Sequence, residues 1–181
     1  MSELGVVLIV LGALGLANLV LTLGLVRRVR AQNELMRMSI EGIANPKPIM
    51  RVAGERVGDF VAATTTGDRV SAADLRGHTL VGFLSHTCPA CAESLPSFVA
   101  RARLTPGGRD RVLAVVVGAG DAAGELRARL TPVARVVVES TAGPVARAFG
   151  VDGFPAFALL DGDRVVASHF ALDGIPDAAA P

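Results

Sequence analysis

Cys88-Pro89-Ala90-Cys91 constrains this chain more than any other feature. The two cysteines are the only ones in 181 residues, and they sit three apart. Random placement gives that spacing on the order of once in a hundred chains, so the pair reads as selected for its chemistry. Ahead of it, Thr79-Leu80-Val81-Gly82-Phe83-Leu84-Ser85 is an apolar run of the length of a buried strand. Behind it, Leu95, Phe98, Val99 and Ala102 follow helical spacing. A strand, a short loop and a dithiol at a helix start form the signature of a thiol–disulfide redox site.

The placement has a physical reason. A thiol at a helix N-terminus faces unpaired backbone N–H groups and the positive end of the helix dipole. Both favour thiolate, and a cysteine so placed falls below its free pKa of about 8.5. Cys88 is expected at the N-cap and Pro89 at the first helical position, where a missing N–H costs nothing. Cys91 lies one turn further in, on the same side and more buried. Cys88 is then the attacking thiolate and Cys91 the resolving thiol. An inert structural disulfide and half of a zinc site are the competing readings. Zinc needs about four ligands, and besides the two cysteines the chain has only His78, His86 and His169. No metal and no cofactor is expected.

The length suits one domain. A net charge of +1, no Trp, no Tyr and no basic cluster interleaved with aromatics exclude nucleic acid as a partner. Leu4 to Val26 is 23 residues without a charge, 15 of them Leu, Ile or Val. As a helix it is about 34 Å long, enough for a hydrocarbon core of about 30 Å. A cleavable signal peptide fits poorly: no basic region precedes the run and no small-residue cleavage site follows it. The expected organisation is a short flank at 1–3 and a single transmembrane anchor at 4–26. A juxtamembrane helix and linker at 27–49 follow, then a folded domain at 50–172 and a flexible tail at 173–181.

Inside the domain, Asp59 to Thr64 and Arg69 to Ser71 flank Thr66-Gly67-Asp68 as a hairpin. The strand at Thr79–Ser85 and a helix from Pro89 to about Leu104 come next. Strands follow at Arg111–Val117 and Ala134–Val138, with a helix at Asp121–Leu130 between them, capped by Asp121. A short helix at Pro144–Phe149 ends at Gly150. Ala156–Leu160 and Arg164–His169 pair across Asp161-Gly162-Asp163. This order implies an α/β fold, a mixed sheet covered by helices.

Two motifs carry a family resemblance. Cys88-Pro89-Ala90-Cys91 with Pro96 five residues later resembles the thioredoxin superfamily, which has a helix-kinking proline at that offset. Phe149-Gly150-Val151-Asp152-Gly153-Phe154-Pro155-Ala156-Phe157 resembles that family's cis-proline segment. The extra N-terminal hairpin and the anchor look like the TlpA/ResA branch of membrane-tethered oxidoreductases, and are similar also to the thioredoxin-like maturation protein of methylamine utilisation. The resemblance covers roughly 57–170. It implies a thioredoxin-like fold and a thiol–disulfide oxidoreductase acting through Cys88 and Cys91. It also implies that Pro155, in cis, lies against the dithiol and presents the backbone of Phe154 to an extended substrate chain.

The chain departs from the family pattern at several positions. Thr87 stands where a Trp precedes the first cysteine. The Thr79–Ser85 strand holds no carboxylate, where thioredoxin keeps a buried proton acceptor. Ser94 occupies the position of a Glu in the ResA-like branch, with Glu93 one earlier. The last helix of the fold is expected to be missing, leaving one sheet face less covered. His86 has two readings: when protonated it favours the thiolate, or it is an exposed loop histidine without a role.

The expected function is a membrane-tethered enzyme that reduces or forms disulfides in a protein partner. It draws on an electron donor or acceptor and contacts the lipid bilayer through one span. Two other classes compete. A peroxiredoxin-like thiol peroxidase needs a Pro-x-x-x-Thr-x-x-Cys context, and Leu84-Ser85-His86-Thr87 lacks its proline and misplaces the Thr. A Cu(I) metallochaperone would bind through Cys88 and Cys91, with or without a histidine. Location is argued both ways. Arg27, Arg28 and Arg30 after the span favour keeping the domain in the cytoplasm. Compartment chemistry favours the extracytoplasmic face of the cell membrane, where disulfides persist, and that side is the expectation.

Overall fold

The computed structural model describes residues 48–118 and 122–178. The expected anchor at 4–26, most of the linker, Asp121 as a cap and the end of the tail lie outside these residues. Among the described residues no helix is long and apolar enough to cross a membrane.

A small antiparallel hairpin opens the domain, β1 (Val61–Ala63) and β2 (Arg69–Ser71). Then come β3 (His78–Ser85), α1 (Pro89–Leu104), β4 (Val112–Val117), α2 (Ala122–Leu130) and β5 (Arg135–Glu139). The chain continues through α3 (Pro144–Phe149), β6 (Ala156–Asp161) and β7 (Arg164–His169). The five-stranded sheet has the order β5-β4-β3-β6-β7. The pairs β3/β4 and β4/β5 are parallel, while β6 and β7 run antiparallel to their neighbours. Parallel neighbours need a crossover, and α1 and α2 supply the two. This is the mixed α/β sheet that the element order implied.

Strand alternation sorts the core into two layers. Val81, Phe83, Leu113, Val115, Ala158 and Leu160 face one side, where Phe149 of α3 packs edge-on against Phe83 at 5.2 Å. Leu80, Leu84, Ala114, Val116 and Leu159 face the other, beneath α1 and α2. There Phe98 of α1 stacks on Phe157 at 5.7 Å. Gly82 lies directly below it: a Cβ would stand 2.6 Å from the Phe98 ring. The missing side chain in β3 is what lets the redox helix lie close to the sheet.

The sheet's two edges are partly covered. Thr65 N–H donates to Val136 O on β5 at 2.8 Å, and Val165 of β7 exchanges backbone bonds with Gly54 and Glu55. Such cover blunts the pairing tendency of an open edge.

After β7 no α-helix follows among the described residues, only a 3-10 turn at Leu172–Gly174. The expectation of a less covered face needs correction. Leu172 and Ile175 are buried in the layer under α1. Arg101 of α1 fastens them, donating to Leu172 O at 2.8 Å, to Ile175 O at 2.6 Å and to the Asp177 carboxylate at 2.7 Å. A strap pinned by one guanidinium thus covers part of the face that the absence of a last helix was expected to leave open. Arg101→Ala should cost about 1–3 kcal/mol, because it strips two carbonyls of a charged donor. The Asp177 side chain is 95 % exposed, so Asp177→Asn should cost less than about 1 kcal/mol. Urea unfolding of both variants checks the ratio; equal losses would place the effect in the ion pair instead.

Candidate functional site

The site forms where β3 ends and α1 begins. Cys88 N–H donates to Ser85 O at 3.3 Å, closing a tight turn between them. The Ser85 and Thr87 hydroxyls lie 3.1 Å apart and brace the same turn. Cys88 takes the N-cap with extended backbone, and Pro89 opens the helix. Both positions agree with the sequence expectation. The cap is the sulfur itself: Cys91 N–H donates to Cys88 Sγ at 3.1 Å. The same N–H also reaches Cys88 O at 3.1 Å, so the first turn of the helix points a shared donor at the Cys88 sulfur. Pro96 lies inside α1, which continues through it to Leu104.

Both cysteines are free thiols in different settings. Cys88 is half-buried; Cys91 is 1 % exposed, in the layer with Leu95 and Phe98. Cys91 Sγ accepts the Ser85 N–H at 3.5 Å. Burial, reinforced by its hydrogen bond with Cys88 and by the charge of that neighbour, pushes the Cys91 thiol from 9.0 up to about 12, while the Ser85 N–H pulls the other way.

The second motif meets the first. Phe154–Pro155 is a cis peptide, and Pro155 is buried. Cys88 Sγ donates to the Phe154 carbonyl at 3.4 Å, across 66 residues of sequence. Cys88, Cys91 and Phe154–Pro155 therefore converge on one spot. His86 is exposed on the turn, its ring against Gly118.

Several supports escaped the sequence reading. Ser85 holds Cys91 through its backbone. Glu139, at the end of β5, accepts from Val145 N–H at 3.0 Å and Ala146 N–H at 2.7 Å, capping α3 ahead of the proline loop. Asp152 N–H donates to Ile49 O at 2.8 Å and Arg51 N–H to Phe149 O at 2.9 Å, so the start of the domain braces that loop. No local signal marks these pairs. Among the described residues, no three His, Cys, Asp or Glu side chains gather as a metal-ligand set.

Residues 52–180 match the family model for redoxin. The chain belongs to the redoxin family. No curated protein matches it closely enough to count as a relative. Solved structures of similar fold include the thioredoxin domain of a thiol-disulfide oxidoreductase from Bacteroides vulgatus. It has 17 % identity and a TM-score of 0.55, over 68 % of this chain and 92 % of that one. A thio-disulfide isomerase from Thermus thermophilus shows 22 % identity and a TM-score of 0.54, over 66 % and 86 %. A thiol:disulfide interchange protein from a Bacteroides species shows 16 % and 0.52, over 65 % and 80 %. At these identities the likeness is one of fold. This redoxin is an oxidoreductase of thioredoxin-like architecture.

The raised Cys91 pKa has a consequence for stability. The folded redoxin holds the Cys91 proton more tightly than the unfolded chain does. Between pH 9.0 and about 12 the unfolded state therefore binds fewer protons. Stability from this group is full below pH 9.0 and is lost as pH rises through the folded value. Anaerobic urea titrations of the reduced chain should show a falling alkaline limb. Cys91→Ala should flatten it; an unchanged slope would contradict this origin.

Proposed function

We propose that this redoxin is a membrane-tethered thiol–disulfide oxidoreductase that exchanges disulfides with protein partners through Cys88 and Cys91. The observation that carries the reading is the asymmetry of the dithiol. Cys88 is half-exposed at the helix cap, and Cys91 is buried behind it.

The exchange follows from that geometry. Cys88 Sγ attacks one sulfur of a partner disulfide; the partner S–S bond breaks and its electron pair leaves with the other partner sulfur. Cys91 Sγ then attacks Cys88 Sγ in the mixed disulfide. The Cys88–partner bond breaks, the partner leaves as a dithiol, and Cys88 and Cys91 are joined. Run backwards, the same steps donate a disulfide. The Phe154 carbonyl, 3.4 Å from Cys88 Sγ, marks where the backbone of an extended partner chain would lie.

Iodoacetamide on the reduced full chain at mildly acidic pH should label Cys88 before Cys91, read by peptide mass. Labelling of Cys91 first would reverse the assignment.

The tether rests on the uncharged 4–26 stretch, and the TlpA/ResA-like placement rests on that stretch with the added hairpin. The extracytoplasmic side is the reading that compartment chemistry supports. A C-terminal alkaline phosphatase fusion should be active; an inactive one would place the domain in the cytoplasm.

A further inference from the structure

Resolution of the mixed disulfide requires Cys91 to lose a proton from a buried position. The strand beneath it, Thr79–Ser85, contains no carboxylate to take that proton. A cavity of about 180 Å³ opens behind Cys91, on the side of α2. Its walls include Ser85, His86, Cys91, Glu125, Leu126 and Arg129. A water occupies about 30 Å³ of liquid volume, so a space of this size, with Ser85, His86, Glu125 and Arg129 on its walls, has room for several.

His86 is placed by two features. It follows Ser85, whose N–H meets Cys91 Sγ at 3.5 Å. Its ring lies against Gly118 at the end of β4, where any Cβ would collide with the imidazole. Gly118 has φ +139°, a conformation that disfavours other residues and so keeps that space open. One side of His86 borders the cavity and the residue is exposed to solvent. An imidazole both accepts and donates protons, so it takes one on one face and releases one on the other.

We propose that this cavity is the proton exit of the resolving thiol and that His86 is the acceptor, through water. The inference rests on the exchange reading above. In the mixed disulfide, the Cys91 thiol gives its proton to cavity water, which passes one to His86. Cys91 Sγ attacks Cys88 Sγ, the Cys88–partner bond breaks, and the electron pair leaves with the partner sulfur. His86 returns its proton to solvent. The dithiol is oxidised and the partner disulfide reduced. The ionisable groups that line the cavity with His86 are Cys91 from α1, and Glu125 and Arg129 from α2. Gly118 at the end of β4 contributes none. Glu125 reaches the cavity from a separate element, whereas His86 continues the loop that holds the Cys91 sulfur.

The test uses the reduced full chain and 5,5′-dithiobis(2-nitrobenzoate) in stopped flow. One thionitrobenzoate leaves when Cys88 attacks and a second when Cys91 resolves. In His86→Ala and His86→Gln the first release should keep its rate. The second should slow by about 10²-fold at neutral pH, the scale of lost general-base catalysis. Its pH profile should move to higher pH, and added imidazole should restore the rate in His86→Ala. A second release as fast as in the parent chain overturns the proposal. So does slowing that imidazole does not relieve in a variant with unchanged thermal stability, because that marks a structural role. A parent chain that releases no second thionitrobenzoate overturns the exchange reading itself, and this proposal with it.

Discussion

Serine in place of Cys88 should abolish disulfide exchange and leave the fold intact. The loss should reach about a thousandfold or more, as when a nucleophile is removed from other enzymes. The side chain sits at an N-cap, where its sulfur receives the Cys91 N–H at 3.1 Å. Serine is among the best N-cap residues, so its hydroxyl can take over that bond. Activity and stability should therefore separate: no reduction of insulin disulfides, with a thermal midpoint equal to or above that of the parent. A Cys88→Ser chain that retains exchange would remove Cys88 from the reaction. One that unfolds would show that the sulfur has a packing role the geometry does not give it.

The largest stability effects should come from the contact between Gly82 and Phe98. Phe98 is fully buried, stacked on Phe157 and pressed onto Gly82. Phe98→Ala should cost about 3–5 kcal/mol through lost burial and an unfilled cavity. Gly82→Ala should cost about 1–3 kcal/mol for the opposite reason, since its Cβ enters space the ring occupies. The two sites are coupled through that one contact. Gly82→Ala combined with Phe98→Leu should cost clearly less than the sum of the single changes, by about 0.5 kcal/mol or more. Strict additivity in urea unfolding would mean that the ring does not rest on Gly82. Because α1 carries both cysteines, Gly82→Ala should also slow the exchange.

Much of this architecture was legible in the sequence because its signals are local. Strand runs, the Asp161-Gly162-Asp163 turn and the Cys88-Pro89 cap each lie within a few residues. The convergence of Cys88 with Phe154 is long-range, and it was legible only through the resemblance of two motifs to one family. Gly82 did carry a signal, a glycine inside an otherwise apolar strand run, which marks a close approach. The Arg101 strap was hidden: its carbonyl partners lie 71 and 74 residues away, and surface arginines are common. Glu139 as a cap was hidden in the same way, because the capping carboxylate comes from the end of β5 and not from the residue before the helix. The cavity beside Cys91 arises from the packing of α2 against the β3 turn, which no single segment encodes.

The most direct test of the account is covalent trapping. Full-length chains with Cys91→Ala or Cys88→Ala are expressed in their own host, and the cells are quenched with acid and alkylated before separation without reductant. Cys91→Ala should accumulate reductant-sensitive adducts with partner proteins, joined through Cys88, because the resolving step is missing. Cys88→Ala should form none, since Cys91 is buried and holds its proton. Adducts formed through Cys91 in the Cys88→Ala chain, or no adduct in either, would contradict the central claim that Cys88 attacks and Cys91 resolves.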